Sequence, residues 1–171
     1  MGKIEEVFTH VSNLQDQYYL KSKLPDVSIR IFLNSPNYAQ LIIDCCELLE
    51  NRMNATYDDF DKPLVAMSAA NCGVGFNIII VKNKETGDNI KMINPKIVQG
   101  FDVCITKTNC RSIRLPEKVR IKRYKRVIVS YYDITGKLQR EEYNGSTAFM
   151  IQHEVDHNNG ILITDKIIDN G

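Results

Sequence analysis

The residues with the clearest capacity for chemistry lie at His153-Glu154-Val155-Asp156-His157, an HExxH pattern in a sequence of 171 residues. At about 100° per residue of an α-helix, two histidines four positions apart differ by only about 40° around the axis, so one cation can touch both rings. Glu154 falls about 100° round from His153, beside such an ion, where its carboxylate can take a proton from a water. The chain has only three histidines and two of them sit in this motif, which weighs against a chance pair on an exposed helix. A catalytic site of this kind needs a third protein ligand and an open fourth position. No further histidine follows Gly160, since Ile163 stands where one extended motif would place it, and His10 is remote. Cys110, in the polar stretch Thr108-Asn109-Cys110-Arg111-Ser112, can bring a thiolate, and one cysteine with two histidines suits a four-coordinate divalent metal. A closed structural zinc site is the competing reading. It requires a fourth protein ligand, for which Cys72 and Cys104 are candidates, and it leaves Glu154 without a task.

These groups need a helix to carry the histidines and a second element to deliver the cysteine. Ser146 can cap a helix running through Ala148, Ile151 and Val155, an apolar back opposite the histidines, until Gly160 stops it. Upstream, Ser35-Pro36 reads as an N-cap and first helical position. Leu41, Ile42, Cys45, Leu48 and Leu49 then recur at helical spacing, with Cys45 and Cys46 as small semi-buried hydrophobes. A polar connection through Asp58, Asp59, Asp61 and Pro63 leads into short β-like segments. Ile78 to Val81 and Ile90 to Ile93 flank a turn at Glu85-Thr86-Gly87-Asp88, and Val127 to Tyr132 precedes another at Asp133-Ile134-Thr135-Gly136, a pattern that predicts antiparallel pairing.

With 43% hydrophobic and 25% charged residues, the chain reads as a single domain over residues 1–171 with enough apolar side chains for its own core. Its net charge of +1 supplies no overall field toward DNA or anionic lipid, and no segment approaches the roughly 18 apolar residues of a membrane span. An apolar signal core is also lacking in the opening MGKIEEVF. Five irregularly spaced cysteines argue for a reducing compartment, hence the cytoplasm. The one basic cluster, Lys118, Arg120, Lys122, Arg123, Lys125 and Arg126, interleaves with apolar residues as a solvated strand face would, with contact to ribosomal RNA as the less favoured alternative.

Taken together, these residues resemble the peptide deformylases, whose signature motifs run GxGLAAxQ, EGCLS and QHExDH along a chain of about this length. Gln152 through His157 reads QHEVDH, followed by Gly160 and the apolar-acidic ILITDKI; Cys110 and Ser112 match the second motif; Met92 to Val98, MINPKIV, is similar to the family's INPxI strand. The first motif aligns as Leu64-Val65-Ala66-Met67-Ser68-Ala69-Ala70-Asn71, with Leu64 and Ala66 at glycine positions and Asn71 at the glutamine, and Asn158 stands where the family has an apolar residue. The resemblance spans roughly Ile29 to Ile168. It implies an α+β fold with antiparallel β-sheets around a central HExxH helix, and a metal held by Cys110, His153 and His157. That metal would be ferrous iron, with zinc, nickel or cobalt as substitutes. The implied reaction is hydrolysis of the N-formyl group of N-formylmethionyl peptides, with a ribosome surface as a further partner. Glu154 would move the proton, the Asn71 amide and the Arg111 backbone N–H would stabilise the oxyanion, and Arg123 would pair with Asp156. A second reading keeps the fold and the ion but binds peptides or another ligand with little or no turnover.

Overall fold

In the computed structural model, residues 21–56, 62–108, 110, 115 and 117–168 are described. The expectations for His10, for Asp58, Asp59 and Asp61, and for Asn109, Arg111 and Ser112 fall outside them. Helix α1 (Ile29–Asn34) is capped by Ser28 and followed at once by α2 (Pro36–Ala55). Ser35 Oγ accepts from Tyr38 N–H at 3.4 Å while Pro36, which has no N–H to leave unsatisfied, opens the helix. One stripe of α2 buries Ile42, Cys45, Cys46, Leu49 and Met53. Burial pushes the Cys45 and Cys46 thiols up to about 11 and about 12, so both are inert core residues, as their spacing predicted.

Five antiparallel strands form one sheet in chain order: β1 (Ala66–Ser68), β2 (Ile78–Lys82), β3 (Asn89–Thr108), β4 (Val119–Tyr132) and β5 (Leu138–Asn144). A four-residue helix, α3 (Ala69–Cys72), follows β1 directly, and α4 (Gly145–Asn158) follows β5. The apolar run of β2 is explained by its place between two layers. Ile78 and Ile80 face the core made with α2, and Ile79 and Val81 face the core made with Ala148, Ile151 and Val155 of α4. The fold is thus α+β, with α4 on one face of the sheet and α2 on the other.

Two expectations change in detail. The described residues contain one continuous sheet, because β3 and β4 are long enough to serve as a spine and shift register between Ile93/Lys96 and Ile97/Gln99. Helix α4 begins at Gly145 with Asn144 as its N-cap, rather than after Ser146, since β5 enters the helix through Gly145 at φ 55° with no intervening loop. Past the residues that β2 and β5 cover, the outer half of the β3–β4 hairpin (103–108 with 119–124) projects from the sheet and brings the chain to Cys110.

Candidate metal centre

Helix α4 is held near its middle and at its C-terminus. Near its middle, the Gln152 amide takes the place of a strand neighbour on the free edge of β4: Oε1 accepts from Tyr124 N–H at 2.9 Å and Nε2 donates to Tyr124 O at 2.8 Å and to Ala148 O at 3.0 Å. At its C-terminus, Gly160 N–H donates to His157 O at 3.0 Å and Ile161 N–H to Asp156 O at 2.9 Å, the paired bonds of a helix stop that needs a left-handed residue. Gly160 has φ 72°, and a Cβ there would come within 2.6 Å of Lys21 O. The glycine therefore both ends the helix and lets the Lys21 segment cross it.

On the helix so fixed, His153 and His157 stand in edge-to-face contact with Nε2 atoms 3.0 Å apart, and Cys110 Sγ lies 3.3 Å from His157 Nε2. The three ligand atoms all lie within 4.8 Å of one another. Cys104 is outside that group, as is Cys72, so among the described residues the set is three and the closed four-ligand reading has no fourth member. Burial is the main cause that lowers both histidines, His153 to about 3 with His157, Arg123 and Lys166 adding to it, and His157 to about 4 despite the opposing charge of Asp156. Both rings are consequently neutral at pH 7 and present lone pairs. His157 Nδ1 is buried without a hydrogen-bond partner, so packing rather than a carboxylate orients that ring. Three borderline donors, Cys110 and His157 buried and His153 partly so, with both rings neutral, fit a divalent cation of zinc or iron type.

Glu154 shares a cavity of about 620 Å³ with His153, Asn71, Cys72, Met67 and Thr106. Burial raises its carboxyl to about 7, partly offset by Ser68 and by the Arg123 charge, and its Oε2 is enclosed without a hydrogen-bond partner. A carboxyl in that range can both accept and return a proton near neutrality. Asp156, two residues on, has the opposite surroundings. Arg123 Nη1 donates to its Oδ2, and Lys166 Nζ reaches both oxygens at 2.7 and 2.8 Å. Strand alternation places Arg123 inward while its neighbours Lys122 and Tyr124 are exposed, so the basic run is a solvated face except at Arg123.

Asn71 lies on the cavity wall in α3. Neither Leu64 nor Ala66 has a positive φ, and Ala66 pairs in register with Val81. Ala66 thus sits in an ordinary strand, while Leu64 precedes it and donates its N–H to Thr56 O at 2.9 Å. Arg111 lies outside the described residues. Sequence reasoning missed Lys166 as the second cation on Asp156, although ILITDKI carried it, and it missed Arg52 of α2 and the helix's C-cap Thr56 on the cavity wall. Nothing in the spacing of α2 pointed its last turn toward the site.

Comparison with known proteins agrees with this geometry. A sequence model of the polypeptide deformylase family matches residues 21–171. The peptide deformylase of Thermodesulfovibrio yellowstonii is 34% identical over 128 residues, 72% of this chain and 74% of that protein. The peptide deformylase of Desulfotalea psychrophila is 30% identical over 113 residues, 63% of this chain and 66% of that one. The chain thus spans about two thirds to three quarters of the length of these curated relatives. The Met-Ala-Ser-bound class I type b peptide deformylase of Acinetobacter baumannii superimposes with a TM-score of 0.71 at 25% identity, covering 90% of this chain and 94% of that chain. Three potential metal donors within 4.8 Å of one another, a carboxyl raised toward neutrality on the same helix, a family model over residues 21–171 and matching relatives lead to one conclusion, that this chain belongs to the polypeptide deformylase family, metal-dependent hydrolases of N-formyl groups.

Proposed function

We propose that the chain removes the N-formyl group from formylmethionine at the start of nascent polypeptides, with Cys110, His153 and His157 holding a divalent ion and Glu154 moving the proton. The observation that carries this reading is the convergence of the three ligand atoms within 4.8 Å beside a cavity that Glu154 enters. When bound, such an ion acts as a Lewis acid that makes a water acidic enough to attack near neutral pH. Glu154 accepts the proton that this water loses, and the oxygen bonds to the formyl carbon. As the C–N bond breaks, Glu154 returns the proton to the departing amine, leaving formate and a free methionyl N-terminus. Negative charge develops on the formyl oxygen, and the Asn71 side-chain amide and the Arg111 backbone N–H are the donors assigned to it. Lys166 and Arg123 hold Asp156, and through it the helix that presents the ligands.

Ferrous iron is the assigned native metal, with zinc, nickel or cobalt able to occupy the same donors. The peptide bound in the Acinetobacter baumannii structure supports an extended N-terminal peptide as substrate. Exposed Lys122 and Lys125 support a contact with the ribosome surface, and the odd, irregular cysteine set supports a cytoplasmic setting. Among the described residues no helix is long and apolar enough to cross a membrane. The test is formate release from formyl-Met-Ala-Ser by protein purified without air and loaded with ferrous iron, beside Glu154→Ala. Release that the substitution abolishes is expected. A fully metal-loaded protein that releases none would overturn the hydrolase reading in favour of a peptide-binding role.

A further inference from the structure

Two departures from the family pattern, Asn71 for glutamine and Asn158 for an apolar residue, meet at one turn. Asn158 is the last residue of α4, next to His157, and is 1% exposed. Its Oδ1 accepts from Ala70 N–H at 3.1 Å, and its Nδ2 donates to Asn77 Oδ1 at 3.1 Å and to Ile78 O at 2.9 Å. All its side-chain polar atoms are therefore used, in a place where an unsatisfied amide would be costly. Asn77 is tied in turn, donating through Nδ2 to Asp26 Oδ1 at 2.8 Å and through its backbone N–H to Pro25 O at 2.9 Å. Asn158 O accepts from Leu24 N–H at 2.8 Å, so the same segment clamps the residue's main chain.

Ala70 is the second residue of α3, where a helix leaves backbone donors that its N-cap side chain normally satisfies. The N-cap here is Ser68, and its side chain makes no cap hydrogen bond. Asn158 takes over that task from another element. The next residue in α3 is Asn71, the amide on the cavity wall. We propose that Asn158 is a positioning residue for hydrolysis. By capping α3 at Ala70 it fixes the turn that presents Asn71 to the cavity, and it does so from the helix that carries His153 and His157. A leucine has nearly the shape of asparagine but no polar atoms, so it would fill the site and leave α3 uncapped. The asparagine side chain at 71 is one methylene shorter than a glutamine. Its reach therefore depends on where α3 sits, which makes a dedicated cap on that turn consequential.

This inference rests on the deformylase reading, and its test separates the two. With wild-type protein active on formyl-Met-Ala-Ser, Asn158→Leu is expected to lower kcat roughly ten- to a hundredfold. KM, metal content and the visible spectrum of the cobalt-loaded protein should stay unchanged, while Ala70 N–H exchanges faster with solvent. In an Asn71→Ala background the same substitution should cause little further loss, because the amide through which it acts is gone. Should Asn158→Leu fail to fold, Asn77→Ala withdraws the acceptor of Asn158 Nδ2 and is expected to lower kcat by a smaller factor, again only when Asn71 is present. Folded, metal-loaded Asn158→Leu with wild-type kcat would overturn the proposal, as would an equal loss in both backgrounds. Wild-type protein that releases no formate would overturn the deformylase reading and this inference with it.

Discussion

One wall of the cavity is the α4 face with His153 and Glu154, with Cys110 grouped beside His153 and His157, and the other is the segment from Leu64 to Cys72. On the helix wall Gln152 to His157 match the family motif, and burial is the main cause of the shifts there, lowering the two rings to about 3 and about 4 and raising Glu154 to about 7. On the facing wall five of the six fixed motif positions differ, at Leu64, Ala66, Met67, Ser68 and Asn71, yet β1 keeps its register with β2 and Asn158 accepts a hydrogen bond from the backbone of α3. Ligand identity admits few alternatives because a cation needs particular donor atoms. A backbone position can be held by many different side chains, so the facing wall has freedom to change.

Breaking the helix wall should have the largest consequence. Glu154→Gln is expected to lower kcat by roughly 10²- to 10⁴-fold with metal retained, checked by steady-state formate release alongside metal analysis. Asp156→Ala would leave Arg123 buried without its carboxylate and should cost about 3–5 kcal/mol of unfolding free energy, measured by urea denaturation. Lys166 is half-exposed by comparison and adds little to that figure. On the facing wall, Asn71→Ala should cost roughly 10²- to 10³-fold in kcat, measured by steady-state formate release from folded, metal-loaded protein. A kcat unaffected by this change would remove Asn71 from the oxyanion site and leave the helix wall to act alone.

The smallest effect concerns pH and the metal-free protein. His153 and His157 are lowered in the fold from an ordinary value of about 6.5, so between about 4 and 6.5 the unfolded chain binds more protons and stability rises with pH. Glu154, raised from 4.5 to about 7, acts in the opposite sense, since the folded state holds the extra proton between those values. Two groups outweigh one. The urea midpoint of metal-free protein should therefore fall as pH drops from about 6.5 to 4, and Glu154→Gln should steepen that fall. A midpoint that rises toward acid would mean that the histidines are charged in the fold.

Local periodicity made much of this legible in advance. A helix places residues four apart on one face whatever surrounds it, so the His153–His157 pair, the position of Glu154 beside it and the apolar back at Ala148, Ile151 and Val155 follow from spacing alone. Ser35-Pro36 marked the start of α2 for an equally local reason, the unsatisfied donors of a first helical turn. The start of α4 was less legible, because the direct passage of β5 into Gly145 depends on a strand pairing between distant residues.

Side-chain chemistry travels with the residue, so the candidate donors Cys110, His153 and His157 and their order along the chain were readable from the residues alone. It is the folded arrangement that brings Cys110 to His157 across 47 positions, Lys166 and Arg123 together on Asp156, and Asn158 to a turn 88 positions away. Those contacts depend on how far the β3–β4 hairpin projects and where α4 crosses the sheet. Such distances are set by the packing of whole layers, which no short stretch of residues encodes.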